Sequence, residues 1–308
     1  MFRLRPSDSP DGRGRSGLTD KDTRRMPPEA LFSVEFSPPR TPEGVDKLRA
    51  TRTELAAVGP AFYSVTFGAG GSTREGTLAA VMEIRAAGLN AVPHISCVAS
   101  TRGVVRDLLQ TYRNAGIRHL VALRGDAPSG MAGSGGDFRF AADLVELVRA
   151  EHGDWFRIEV AAYPETHPQA RSPAEDVQNF VRKVRAGADS AITQYFYNDD
   201  AYLRFVDEVR ALGCDVPIVP GIMPITNFTQ LARFSDSCGA EIPRWIRRRL
   251  ESFGDDRAAI RAFGADVVAE LCRRLLDRGA PGLHFYTMNA ASPTLEIWRR
   301  AGLPVRRA

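Results

Sequence analysis

From Leu31 onward, short apolar runs rich in β-branched and aromatic residues alternate with longer segments whose apolar positions recur at helical spacing. Eight such pairs can be counted. The predicted strands are LFSVEFS (31–37), FYSVTF (62–67), NAVPHIS (90–96), HLVALR (119–124), RIEVAAY (157–163), SAITQYF (190–196), VPIVPGI (216–222) and GLHFYT (282–287). Most are apolar at successive positions, as expected for strands covered on both faces. Between them lie helical patterns such as EGVDKLRATRTELAAV, TRGVVRDLLQTYRNAG, PAEDVQNFVRKVRAG and DDAYLRFVDEVRALG, several closing on Gly as a C-cap.

Parallel strands need crossovers of this length, and eight consecutive strand–helix units without a dinucleotide fingerprint favour a closed barrel over a doubly wound sheet. The fold predicted is α/β, a single (β/α)8 (TIM) barrel. The interval from the seventh strand to the eighth is long, and IPRWIRRRLESFGDDRAAIRAFGADVVAELCRRLLDRG predicts extra helices there. Residues 29–308 form the expected catalytic barrel, preceded by an extension, residues 1–28, read as basic and disordered.

Composition adds exclusions. Of 308 residues, 44% are hydrophobic and 25% charged, the balance of a chain that buries a sizeable core. The formal charge is +4, but the first 28 residues hold seven Lys/Arg against four Asp, so the body is nearly neutral. Its arginines are spread along helices beside acids, which argues against a nucleic-acid partner. No apolar run approaches the ~20 residues of a membrane span, and the N-terminus lacks the apolar region of a secretory signal. Cys97, Cys214, Cys238 and Cys272 are scattered without a CxxC pair, and the five histidines show no ligand spacing. Reduced thiols in a cytoplasmic protein without a metal site are expected.

Barrel enzymes place their chemistry at the C-terminal ends of the strands. Seven of the eight strands deliver a polar group there: Glu35, Thr66, His94, Asp126, Tyr163, Gln194 and Tyr286. Glu35, between Val34 and Phe36, is a carboxylate in an apolar strand, costly to bury unless protonated or paired. Desolvation suits such a group to general-acid work; the alternative is a structural salt bridge with Arg40 or another arginine. Asp126 follows Arg124 and Gly125, where a fixed negative charge stabilises a developing cation, or it is a turn aspartate bonding its own backbone. His94 has a second reading as a core histidine with both nitrogens satisfied, and Gln194 as a group bonding across the barrel interior.

The glycine stretches GAGGS (68–72) and SGMAGSGG (129–136) lack the endings of phosphate-binding loops and read better as active-site loops. Asp176, Asn179, Arg182 and Lys183, spaced i, i+3, i+6 and i+7, put polar and basic groups on one helix face. That face either grips a diphosphate and ribose or is a solvated surface.

Taken together, VEFSPPRTPEG, FYSVTFGAGGSTR, VPHISC, AGIRHLVALRGDAP, VAAYPETHP, RKVRAGADSAITQYFY, VPIVPGIMPITNF and LHFYTMN resemble the methylenetetrahydrofolate reductase family, in order and with compatible spacing from about Phe32 to Leu303. None of these motifs is diagnostic alone; their ordered combination is highly specific. The resemblance implies an FAD-containing barrel of the bacterial type that reduces 5,10-methylenetetrahydrofolate to 5-methyltetrahydrofolate with NADH or NADPH, in one-carbon metabolism feeding methionine synthesis. It implies that Glu35 is the acid opening the methylene bridge toward an iminium, and that Asp126 lies near flavin and pterin. Family flavin contacts carry over onto Thr66, His94, Arg124, Gly125, Asp126, Ala141, Tyr163, His167, Asp176, Asn179, Arg182 and Lys183. Folate contacts carry over onto Gln194 and Gln230, and Phe234 matches a ring that stacks on substrate or nucleotide. Tyr286, in LHFYTMN, joins the expected substrate-binding set.

Some positions depart from the pattern. Ala290 stands where relatives often carry an Arg that helps hold folate, Ser37 replaces an aromatic, and Phe67 and Phe140 replace tyrosines. These differences leave open a folate- or flavin-binding barrel with reduced turnover, against which the retention of Glu35 and Asp126 argues. A Schiff-base lyase is disfavoured, because the chain holds only Lys21, Lys47 and Lys183 and none is at a strand end. With no separate dinucleotide motif, the nucleotide is expected to share the flavin pocket. Relatives are often homo-oligomers, although no interface is legible in the sequence.

Overall fold

The computed structural model describes residues 30–67, 74–125 and 136–306. In chain order the elements are β1 (Leu31–Phe36), α1 (Pro42–Ala56), β2 (Tyr63–Val65), α2 (Arg74–Ala86), β3 (Ala91–Ser96), α3 (Arg102–Asn114), β4 (His119–Leu123), α4 (Ala141–His152), β5 (Arg157–Ala162), α5 (Pro173–Arg185), β6 (Ser190–Thr193) and α6 (Asp199–Ala211). They continue with β7 (Ile218–Val219), β8 (Gly221–Ile222), α7 (Phe228–Cys238), α8 (Arg244–Ser252), α9 (Arg257–Asp277), β9 (Gly282–Tyr286) and α10 (Ala291–Ala301). The N-terminal extension, the GAGGS stretch, Asp126 and all of SGMAGSGG except Gly136 lie outside the described residues.

All strand pairs are parallel, in the order β7-β6-β5-β4-β3-β2-β1-β9-β8. The expected seventh strand is interrupted: β7 pairs with β6, β8 pairs with β9, and Pro220 separates them. Proline has no N–H for the ladder, so the strand breaks there and its two halves serve opposite neighbours. Together β7 and β8 close an eight-position (β/α)8 barrel. Gly221 is required at this seam, since a Cβ would sit 2.2 Å from Thr193 O and 2.6 Å from the Tyr286 ring. The extra helices are present between the seventh and eighth barrel positions as α7, α8 and α9, and α9 packs between α6 and α10.

Helix starts follow local chemistry. Thr41 and Ser172 each accept a capping hydrogen bond, from Gly44 N and Glu175 N, with Pro42 and Pro173 just inside. The pleat sends alternate strand residues to opposite faces. Outward residues meet the helices: Phe32 and Phe285 lie 5.0 and 5.4 Å from the Trp298 ring of α10. Each such buried aromatic contributes about 1.5–3 kcal/mol by leaving water.

Inward residues build the lumen around a small apolar layer of Phe62, Val92, Val121 and Ile192. Below it, His119 and Glu159 are 3.0 Å apart, with Arg157 beside the carboxylate and donating to Ser190 Oγ at 2.9 Å. Burial raises the Glu159 carboxyl, but the His119 contact and its other partners outweigh that and hold it below the ordinary value. Phe62 separates this floor from the mouth, its ring 4.8 Å from His119 and 5.8 Å from His284.

Candidate active site

Glu35 is the second-last residue of β1, in register with Ser64 of β2 and Tyr286 of β9. Its side chain is only 16% exposed, and its Oε2 lies 3.4 Å from His94 Nε2 and 3.6 Å from His284 Nε2. Among the described residues no arginine is in ion-pair distance, so the Arg40 salt bridge weighed from the sequence does not form. The other nitrogen of His284, Nδ1, is hydrogen-bonded to Ser33 Oγ at 2.7 Å. A chain of polar groups therefore runs up the lumen from Ser33 through His284 to Glu35.

His94 does not match its alternative as a fully satisfied core histidine, since its Nε2 has no hydrogen-bond partner. Burial lowers its pKa to about 4, against the raising effect of Glu35 and with the lowering effect of His284. At neutral pH it is an uncharged neighbour of the carboxylate. Ser64 Oγ and His284 Nε2 are likewise buried without partners. Three orphan polar atoms on residues around one carboxylate are what a site built for a polar ligand leaves behind.

The remaining strand ends converge on the same mouth. Thr66 N donates to Phe36 O at 2.9 Å, tying the ends of β1 and β2. Tyr286 crosses the lumen and its hydroxyl donates to Thr193 O at 2.6 Å. Burial, then the Glu35 charge, pushes that phenol well above its usual value, so it stays a donor. Gln194 does not bond across the barrel as weighed; its Oε1 accepts from the neighbouring Tyr195 N at 3.0 Å.

On the β3–β5 side, Gly125 has φ +81°, and a Cβ there would fall 1.8 Å from Ser96 Oγ. Only glycine brings the backbone this close. Arg124 reaches Gln169, and Ala141 opens α4. Tyr163 and His167 pack edge to face at 4.5 Å; His167 N donates to Asp176 Oδ2 at 2.7 Å. Thr166, between them, holds a strained φ of +80°.

The expected helix face on α5 is partly realised. Asp176, Asn179 and Lys183 share a side, whereas Arg182 is exposed beside them. Lys183 Nζ turns to the sheet and donates to Ala161 O at 2.5 Å; burial lowers its pKa to about 8, opposed by Asp176. Gln230 and Phe234 are exposed on α7, four residues apart and on one face.

A cavity of about 380 Å³ lies beside the mouth, between the β5 loop, α5 and α6, with Glu165, Asp176, Arg204, Glu208 and Glu241 in its walls. Glu35 does not line it. Sequence reasoning passed over Ser33, His284 and Glu165. The first two were findable, because they lie two positions before Glu35 and Tyr286 and so share their inward parity.

Among the described residues no helix is long and apolar enough to cross a membrane, and no group of three His, Cys, Asp or Glu side chains is arranged to hold a metal.

Comparison with known proteins bears on the fold and the family. A solved structure titled an uncharacterized protein from Clostridium thermocellum that binds two copies of 5-methyl-5,6,7,8-tetrahydrofolic acid superposes with TM-score 0.65 at 15% identity, over 89% of this chain and 94% of that one, a likeness of fold. The 5,10-methylenetetrahydrofolate reductase of Salmonella typhimurium is 42% identical over 88% of this chain and 90% of its own length. Methylenetetrahydrofolate reductase (NADH) 1 of Arabidopsis thaliana is 36% identical over 89% of this chain, which spans 49% of that longer protein. The sequence model described as methylenetetrahydrofolate reductase matches residues 22–302. With a family model that spans residues 22–302 and a relative 42% identical over 88% of the chain, the chain belongs to the methylenetetrahydrofolate reductase family.

Proposed function

We propose that this protein reduces 5,10-methylenetetrahydrofolate to 5-methyltetrahydrofolate with bound FAD and a reduced nicotinamide nucleotide. The observation that carries this reading is the Glu35 carboxylate, held at the mouth between two imidazoles, in a chain 42% identical to a 5,10-methylenetetrahydrofolate reductase. NADH is the nucleotide favoured, after the name of the plant relative.

The residues present fit a flavin dinucleotide. Arg124, Arg182 and Lys183 supply cations suited to a diphosphate, and Gly125 lets the loop after β4 pack where a Cβ would strike Ser96 Oγ. Asp176 offers a carboxylate to ribose hydroxyls, with Thr66, His94, Ala141, Tyr163, His167 and Asn179 completing the cradle. The bound flavin would carry two electrons between nicotinamide and folate. Asp126, the residue after Gly125 and outside the described residues, would supply a negative charge that favours a cationic folate.

Glu35 would donate its proton to the bridge nitrogen of the folate as the carbon–nitrogen bond opens, leaving the iminium that accepts hydride to become the methyl group. Tyr286 and Gln194 would line the pterin end, while Gln230 and Phe234 would lie along the substrate from α7. With His94 neutral and Phe62 beneath, the acid works in a site screened from the barrel floor.

Purified protein is expected to show a flavin absorption band and to turn over NADH continuously when methylenetetrahydrofolate is supplied. Absence of both the band and the turnover overturns the reading.

A further inference from the structure

We propose that Asn289 is a positioning residue for Glu35, holding the end of β1 through a two-point clamp on Ser37; this rests on the reading of Glu35 as the acid. The β1–β9 register ends at Glu35 and Tyr286. Beyond it, Thr287 N still donates to Glu35 O at 3.4 Å, and side chains of the β9 loop reinforce that pairing. Thr287 Oγ1 donates to Glu35 O at 2.6 Å, and the Asn289 backbone N–H donates to Thr287 Oγ1 at 3.2 Å. The Asn289 carboxamide then accepts from Ser37 N at 2.9 Å and donates to Ser37 O at 2.8 Å.

A carboxamide has the donor and acceptor pattern of a peptide unit, so these two bonds to one residue fix both the position and the rotation of the chain at Ser37. Glu35 is therefore gripped at its own carbonyl and again two residues later. Thr51 Oγ1 of α1 donates to Asn289 O at 3.3 Å, anchoring the clamp from outside the barrel. Its cost is visible in the backbone: Met288 and Asn289 both take left-handed φ, +52° and +54°. Asparagine is among the few side chains that tolerate this region, and consecutive non-glycine residues persist there only where their surroundings impose it. The strain is spent on the loop that aims the acid, and a misplacement of about 1 Å is worth up to ~100-fold in rate.

Asn289→Gly removes the carboxamide and relieves the strained φ, so it separates the clamp from folding. In the FAD-loaded enzyme, the variant is expected to lower the rate at which methylenetetrahydrofolate reoxidises the reduced flavin by about 10–100-fold. Flavin reduction by NADH should stay within about twofold, and amide exchange at Ser37 should accelerate. Asn289→Asp keeps the bond from Ser37 N and is expected to retain part of the rate, and it serves as the test should the glycine variant not fold. An unchanged folate half-reaction, or equal losses in both half-reactions, overturns the clamp. Glu35→Gln measured alongside separates the two readings: wild-type folate reduction in that variant rejects the acid itself, whereas its collapse beside an unaffected Asn289→Gly rejects only the clamp.

Discussion

Glu35 Oε2 and His94 Nε2 meet at 3.4 Å although their strands, β1 and β3, are not neighbours in the sheet. Alternate strands of such a barrel contribute side chains to one layer, which is how residues 59 positions apart come to share a site. Because His94 is neutral above about pH 4, it is not a fixed counter-charge to the carboxylate. Glu35→Gln is expected to leave FAD bound and its reduction by NADH nearly intact, while folate reduction falls by about 10²–10⁴-fold. Rapid-mixing measurement of the two half-reactions checks this; equal loss in both would reject the assignment.

The Ser33–His284 hydrogen bond orients the second imidazole at Glu35. Ser33→Ala removes that orientation without leaving a large void. A loss of about tenfold in the folate half-reaction is expected, the equivalent of one buried hydrogen bond of roughly 1.4 kcal/mol. His284→Asn should cost more, since it also strips the contact with Phe62. An unaltered pH–rate profile in both variants would show that this pair does not act on the acid.

On the proposed flavin reading, Lys183 would tie flavin retention to pH. Its folded-state pKa, lowered by burial to about 8, means that the ammonium demanded by a diphosphate is lost as pH rises past that value. FAD affinity is therefore expected to be level below pH 8 and to fall above it. Lys183→Met should bind FAD about 10–100-fold more weakly at pH 7, as for loss of a charged hydrogen bond, and lose the pH dependence. Fluorescence titration of flavin-stripped protein gives both quantities; a pH dependence that survives in the methionine variant would exclude Lys183 as its source.

Glu165 joins the β5 loop to the segment after α7: its Oε2 accepts from Glu241 N at 2.8 Å while its Oε1 is buried without a partner. Burial and the neighbouring Glu241 charge raise its pKa to about 7, against the Glu241 hydrogen bond and Arg204. Between pH 4.5 and about 7 the folded protein thus holds more protons than the unfolded chain, so this group lowers stability as pH rises through that window. Glu165→Gln keeps the acceptor and removes the charge. It is expected to raise the midpoint of thermal unfolding by roughly 2 °C at pH 8 and to change it little at pH 5. A rise of equal size at both pH values would exclude titration of Glu165 as the cause.

Much of the architecture was legible because barrel strands are covered on both faces and read as continuous apolar runs, while their crossovers keep a helical period. The seventh strand was the exception. Pro220 and Gly221 were visible as residues, but that the two halves serve β6 and β9 depends on ring closure, which no local window contains. The inserted helices were expected from length and pattern; that α9, rather than α7 or α8, stands in the outer ring beside α10 follows from packing.

The site divided in the same way. Glu35 stood out because a carboxylate among Val34 and Phe36 conflicts with its surroundings, and such conflicts mark function. The ordered motifs identified the family and nominated the flavin and folate residues. Their mutual geometry is a matter of register: Ser33 meets His284 only because β1 pairs with β9, 251 residues away in sequence. Whether Lys183 turns to the sheet while Arg182 stays in solvent is set by how α5 rolls on β5, a packing outcome. The sequence by itself determined the repeating elements, the family and the unusual acid, since each resides in local composition and order. Only the tertiary structure decided which imidazoles flank that acid, which lysine is desolvated and where the barrel closes, because these depend on contacts between strands and helices far apart in the chain.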